Sequence, residues 1–125
     1  MTDLTLLASH RVFKHLPAPE RQALMAQMHI DQHPSGADIA DVGAMDDTVF
    51  WMMSGQAAMV DAEGRVLFEL GTGELFGAGF GLGLAVHKAV AVTPSRVATV
   101  AAAALSELAE RAPALRHFLP AALLQ

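Results

Sequence analysis

The sequence predicts a mainly β fold with helices at both ends, a sandwich or barrel built from short strands. Two observations point there. Glycines punctuate the middle of the chain, at Pro34-Ser35-Gly36, Val42-Gly43, Ser54-Gly55, Ala62-Glu63-Gly64 and Gly71-Thr72-Gly73-Glu74-Leu75-Phe76-Gly77. Short apolar stretches separate them, which is the form of strands joined by tight turns. The hydrophobic period is helical near both ends and strand-like between them. Strands arriving every eight to twelve residues or so fit a sandwich or barrel better than a parallel sheet.

The elements follow in order. Asp3 is placed to cap a turn holding Leu4, Leu6 and Leu7. Val12, Phe13 and Leu16 form a second apolar cluster ahead of Pro17. Pro19 followed by Glu20 has the form of a helix start, because the N–H that proline lacks is left unpaired in a first turn anyway. Leu24 and Met28, four apart, fall on one helical face. Gln32-His33-Pro34-Ser35-Gly36 closes the region, and Ile30, Ile39 and Val42 belong to short segments of the β region. Val49-Phe50-Trp51-Met52-Met53 is a continuous apolar run closed by Ser54-Gly55, short enough for a buried strand. Residues 56–60 and 66–70 flank a glycine-containing turn and predict a hairpin. Residues 89–92 and 96–101 flank Thr93-Pro94-Ser95 and predict a second. Residues 102–112 place Leu105, Leu108 and Ala109 on one helical face and Glu107 and Glu110 on the other. Pro113 breaks that helix, and residues 114–119 predict a last short one before Pro120. One domain is expected over residues 1–125, helical over 1–29, a β-roll over 30–101 and helical again over 102–125.

Composition narrows the function. At 125 residues the chain can bury a real core, and 53% hydrophobic against 17% charged residues excludes a disordered chain. The formal charge is −5, and the eight Lys and Arg residues are scattered without a basic stripe. That argues against a nucleic-acid surface, because phosphate contacts dominate such binding. With no cysteine, disulfides, thiolate metal sites and cysteine nucleophiles are excluded. No signal peptide is visible, and the longest apolar run, residues 97–105 broken only by Thr99, is far short of a membrane span. The expectation is a soluble cytoplasmic protein with no nucleic-acid or membrane partner.

The order of helices, glycine-punctuated strands and helices resembles the cyclic-nucleotide-binding domain, a family that includes bacterial catabolite activators, kinase regulatory subunits and gated channels. Phe13-Lys14-His15-Leu16-Pro17 resembles the family's opening lF..Lp, and Pro34-Ser35-Gly36-Ala37-Asp38-Ile39 resembles paGe.I. Val49-Phe50-Trp51-Met52-Met53-Ser54-Gly55 resembles lYfI.sG, and Gly71-Thr72-Gly73-Glu74-Leu75-Phe76-Gly77 resembles lgpGd.FG, which leads into the phosphate-binding cassette. The likeness covers residues 4–119. It implies an eight-stranded antiparallel β-roll, or jelly roll, with N- and C-terminal helices. It also implies a regulatory domain without enzymatic activity.

The cassette departs from the family. The glutamate that follows Phe-Gly, and hydrogen-bonds the ribose hydroxyl, falls on Ala78 here. The arginine that pairs with the cyclic phosphate falls on His87, within His87-Lys88-Ala89. Arginine is a two-pronged clamp that stays charged, and histidine is neither. The loop Gly77-Ala78-Gly79-Phe80-Gly81-Leu82-Gly83 can still turn several backbone N–H groups toward an anion, or it can pack Phe80 and Leu82 inside a closed pocket. The candidate ligand residues are therefore Phe76, Gly77, Ala78, Gly79, His87, Lys88 and Ala89, and the candidate ligand is a cyclic nucleotide, another nucleotide or another small anion. No cofactor is called for. A subset of bacterial proteins that place such a domain before a pair of CBS domains and a nucleotidyltransferase-like domain shows the same loss of Glu and Arg. By this likeness the chain is a sensor or docking module of a longer signalling protein. The apolar stop at Ala121-Ala122-Leu123-Leu124-Gln125 also fits a tail that packs on something, either other domains of a parent chain or a second copy in a homodimer.

Other residues read more plainly. The histidines show no tight metal spacing, His29 and His33 included, since His33-Pro34 lies outside any regular helix. Asp46-Asp47 reads as a solvated turn, and Ser35, Ser54 and Ser95 as turn residues without a nucleophile elbow. Trp51 and the methionines read as core.

Overall fold

The structure is a computed structural model that describes residues 3–77 and 86–119. It opens with α1 (Asp3–Ser9), a 3-10 turn (Phe13–His15) and α2 (Ala18–Gln27). Pro19 stands in the first turn of α2, with Glu20 beside it, as the sequence predicts. Strand β1 (His29–His33) starts one residue before the predicted helix-to-β boundary, and Met28 is already extended. β2 (Asp38–Asp41) runs into a short helix, α3 (Val42–Met45). Val42 therefore belongs to a helix rather than to the β region proper. The cause is Asp41, whose carboxylate accepts the Ala44 N–H at 2.8 Å and caps the turn.

Then follow β3 (Thr48–Ser54), β4 (Ala57–Val60), β5 (Val66–Leu70), β6 (Leu75–Gly77), β7 (Lys88–Ala91) and β8 (Ser95–Ala101). The chain closes with α4 (Ala102–Arg111) and a 3-10 segment (Pro113–Phe118), which replaces the predicted last helix directly after Pro113. Among the described residues no helix is long and apolar enough to cross a membrane.

The strands form two antiparallel four-stranded sheets, β1-β8-β3-β6 (sheet 1) and β2-β7-β4-β5 (sheet 2). β3 explains the layout. Its run Val49-Phe50-Trp51-Met52-Met53 is buried throughout because the strand is covered on both faces. Val49, Trp51 and Met53 pack under the helices with Leu7, Phe13, Leu24, Leu105, Leu108 and Leu115. Phe50 and Met52 face sheet 2 and meet Met59, Ala57 and Ala89. Burying a side chain of this size is worth about 1.5–3 kcal/mol.

The predicted hairpin over residues 56–70 is present as β4 and β5, with a bulge near Val60. Its tip is tied by Asp61, whose carboxylate accepts the N–H groups of Glu63 and Arg65 and the Arg65 guanidinium. These bonds hold Asp61 below the usual carboxylate range. The second predicted hairpin is not one. β7 pairs with β2 and β4, whereas β8 pairs with β1 and β3. The turn at 92–94 crosses from one sheet to the other, and so does the turn at 55–56. The two corners interlock. Gln56 N–H donates to Thr93 Oγ1 at 3.0 Å, and Ser95 Oγ lies 2.8 Å from Thr93 O and 3.2 Å from Gln56 O. Gly55 has φ +98°, and a Cβ there would overlap Ser95 Oγ and stand 2.7 Å from Pro94 O.

His10 ties the helices to the sheets. Its Nδ1 accepts the Val12 N–H at 3.1 Å, which leaves the proton on Nε2 to donate to Gly73 O at 2.6 Å. The ring packs 4.8 Å from Phe13 and edge-on to Trp51 at 5.5 Å. Burial, with a smaller contribution from Arg11, outweighs the Gly73 bond and holds the imidazole below its ordinary 6.5.

Two outcomes are expected. Between the depressed folded value and 6.5 only the unfolded chain takes up the His10 proton, so stability present above pH 6.5 falls on acidification below it. The slope from this one group is at most about 1.4 kcal/mol per pH unit, and His10→Gln should remove it from urea-unfolding midpoints compared between about pH 8 and pH 5. Gly55→Ala should cost about 2 kcal/mol or more in the same assay, since backbone strain and a backbone collision combine there. A loss below about 0.5 kcal/mol would mean that the corners are loose.

Candidate functional site

The candidate site begins where β6 ends. β6 lies beside β3, with Phe76 opposite Phe50 and Gly77 opposite Val49. The Phe50 and Phe76 rings stack at 4.8 Å with 8° between their planes, inside the space between the sheets. Gly77 has φ +87°, and a Cβ on it would collide with Thr48 O while standing 3.1 Å from Phe50 Cδ1 and 3.3 Å from Met45 O. Glycine is the residue that fits both the conformation and the space. The route into Gly77 is fixed as well, since Gly73 N–H donates to Met52 O at 2.7 Å and Met52 N–H to Glu74 O at 3.0 Å.

Ala78 and Gly79 lie outside the described residues, as do Phe80 and Leu82. The described residues resume at Val86, which is buried in the inter-sheet cluster. His87 is held by its backbone, its N–H donating to Val60 O at 2.8 Å and its carbonyl accepting from Val42 N at 2.9 Å. The His87 side chain is exposed. Lys88 stands on β7 opposite Asp41 and Val60, and its Nζ pairs with Asp38 Oδ1 at 3.1 Å. The alternation along β7 puts Ala89 and Ala91 inside and Lys88 toward solvent, where the Asp38 carboxylate is 64% exposed. Such an open ion pair is worth about 0–1 kcal/mol. Ala89 is fully buried opposite Met59 and Ala40, where a larger side chain would strike the facing sheet.

Phe76, Gly77, Val86 and Ala89 are thus brought to one region, while the Lys88 ammonium and the His87 imidazole stand at its rim. The inter-sheet space is lined by Met45, Phe50, Met52, Met59, Phe76 and Val86, all apolar. The buried polar side chains among the described residues are His10, Asp61 and Ser95, and each is engaged in the bonds given above. No group of three His, Asp or Glu among the described residues could hold a metal ion. His29 and His33 both sit on β1, and Asp46 and Asp47 are exposed after α3. His10 is the residue that sequence reasoning passed over. The available signal was its place two residues ahead of the apolar Val12-Phe13, where an unpaired polar ring would be costly.

These placements separate fold from charge. Gly77→Ala should lower stability by about 2 kcal/mol or more, read from the denaturant midpoint. The double variant His87→Ala, Lys88→Ala should stay within about 1 kcal/mol of the parent. A larger loss in the double variant would show that these two side chains hold the β-roll together.

No protein-family model matches the sequence, and no curated protein does. Solved structures match it. The sensor domain of the transcriptional regulator DNR from Pseudomonas aeruginosa aligns with a TM-score of 0.77 at 22% identity, over 97% of this chain and 87% of that one. The catabolite activator protein of Thermus thermophilus aligns with a TM-score of 0.63 at 25% identity over 85% of this chain, and this chain spans 53% of its length. The regulatory domain of Toxoplasma gondii PKA, solved with cyclic AMP, aligns with a TM-score of 0.66 at 18% identity, over 92% of this chain and 46% of that one. The two antiparallel sheets with helices at both ends are the jelly roll of these cyclic-nucleotide-binding and sensor domains.

Proposed function

We propose that this chain is a non-catalytic regulatory domain of a bacterial signalling protein in which cyclic-nucleotide binding is altered or lost. One observation carries the reading. The space beside the cassette segment is lined by apolar side chains, and the two polar side chains nearest in sequence, His87 and Lys88, stand outside it. Losing two charge-assisted contacts at about 1.5–3 kcal/mol each weakens binding by roughly two to four orders of magnitude. In this reading the ligand is a small anion, held by backbone N–H groups of Phe76, Gly77, Ala78 and Gly79, with Ala89 in the wall and His87 and Lys88 at the rim. The chain works as one cytoplasmic domain over residues 1–125, docked on other domains of a longer parent such as the CBS and nucleotidyltransferase-like arrangement, or on a second copy of itself.

Thermal unfolding of the purified chain with cyclic AMP, cyclic GMP, AMP, ATP and cyclic dinucleotides tests this. Cyclic AMP and cyclic GMP at about 1 mM should leave the midpoint almost unchanged. A ligand at about 100 times its dissociation constant adds about 2.7 kcal/mol, a rise of several degrees for a chain of this size. A rise with cyclic AMP that size overturns the reading. A rise with another nucleotide that His87→Ala, Lys88→Ala removes supports the anion site. A second reading, an interaction module with a closed pocket, is favoured by the outer strand β5, where Val66 and Leu67 are 57% and 41% exposed. Silence from every nucleotide selects it.

A further inference from the structure

The helix-covered face of sheet 1 ends in a polar row. Along it Val100 stands beside Val49, then Ala98 between Ile30 and Trp51, then Arg96 between Gln32 and Ser54. The first two rows belong to the core under the helices. The third leaves it, and there a cleft of about 600 Å³ opens, lined by Gln32, His33, Ser54 and Arg96 with Pro34 and Pro94 among its walls. That volume is within the range of small-molecule sites, about 300–1,000 Å³.

The cleft is built on rigid ground. Ser95 lies under it, buried and bonded to Thr93 O, and the neighbouring corner is closed by Gln56 N–H on Thr93 Oγ1 and Gly55 N–H on Thr72 Oγ1. The prolines add fixed backbone at the rim. The backbone that carries the polar groups is therefore already set, which removes part of the entropic cost of binding. Their chemistry is that of an anion site. Arg96 supplies a permanently charged, two-pronged donor, and Gln32 and Ser54 flank it with neutral donors from the adjoining strands. No carboxylate is among the lining residues described, although the chain as a whole carries −5.

We propose that this cleft is a second ligand site, for a small molecule bearing a carboxylate or phosphate, with Arg96 as its clamp. It is separate from the cassette. Gly77 joins sheet 1 beside Val49, near the start of β3, and Ser54 is at the other end of that strand, on the order of 20 Å away. A ligand here would brace the point where the chain changes sheets.

The test is an NMR titration of the whole chain with inorganic phosphate and, separately, succinate, at constant ionic strength set with sodium chloride. Saturable shifts of the Gln32, His33, Ser54 and Arg96 amides are expected with at least one probe, and which probe acts assigns the anion class. Arg96→Gln should weaken that binding by about tenfold or more, with Arg96→Lys in between. Should Arg96→Gln unfold, Gln32→Ala on the exposed edge strand must still weaken it measurably. His87→Ala, Lys88→Ala should leave it unchanged, which keeps this site distinct from the cassette. No saturable shift with either probe, or undiminished binding in both the Arg96→Gln and Gln32→Ala chains, overturns the proposal.

Discussion

Strand β3 must be kept from water on both of its faces at once. A strand in a two-layer sandwich normally buries one face and wets the other. Here Trp51 and its neighbours on one side, and Phe50 and Met52 on the other, are all apolar. One layer of cover is not enough, so the fold supplies two. Sheet 2 closes over Phe50 and Met52, and helices from both ends of the chain close over Val49, Trp51 and Met53. The His10 bond to Gly73 and the stack of His10, Phe13 and Trp51 fasten that helical lid to a turn of the β-roll.

The same arrangement decides where charge can go. The buried cluster between the sheets is apolar, and Lys88 on β7 pairs with Asp38 on β2 at the surface. Polar groups gather instead where the double cover ends, in the row of Gln32, Arg96 and Ser54. Chemistry is thereby displaced from the interior of the roll to its margins.

Much of this was legible in local sequence. The β3 run, the hairpin of β4 and β5, and the buried stripe Leu105, Leu108 and Ala109 each depend on residues within one element, so periodicity was enough to find them. The crossing at 92–94 was not legible. Its Thr93-Pro94-Ser95 turn has the composition of a hairpin loop, and what makes it a corner is Gln56, 37 residues away. His10 was hidden for the same reason, with Gly73 lying 63 residues along the chain. The helix α3 needed only the Asp41 cap, a local signal that competed with the strand pattern on either side. In the candidate site, Phe76, Gly77 and Ala89 could be read because backbone conformation and packing demand them. The outward aim of Lys88 also had a signal, the small inward alanines at 89 and 91 that alternate with it. Ala78 and Gly79 lie outside the described residues.

The pairing of β1 with β8 has a consequence for how the chain reaches this state. The first strand of sheet 1 bonds to the last, with His29 opposite Thr99, 70 residues later. During synthesis β1 and the whole apolar length of β3 emerge well before β8 can sit between them. Sheet 1 then has no partial form in which β3 is flanked on both edges, and its closure is a late, long-range event that carries a large loop entropy. Until β8 arrives, the apolar run of β3 keeps an unpaired edge open to other strands.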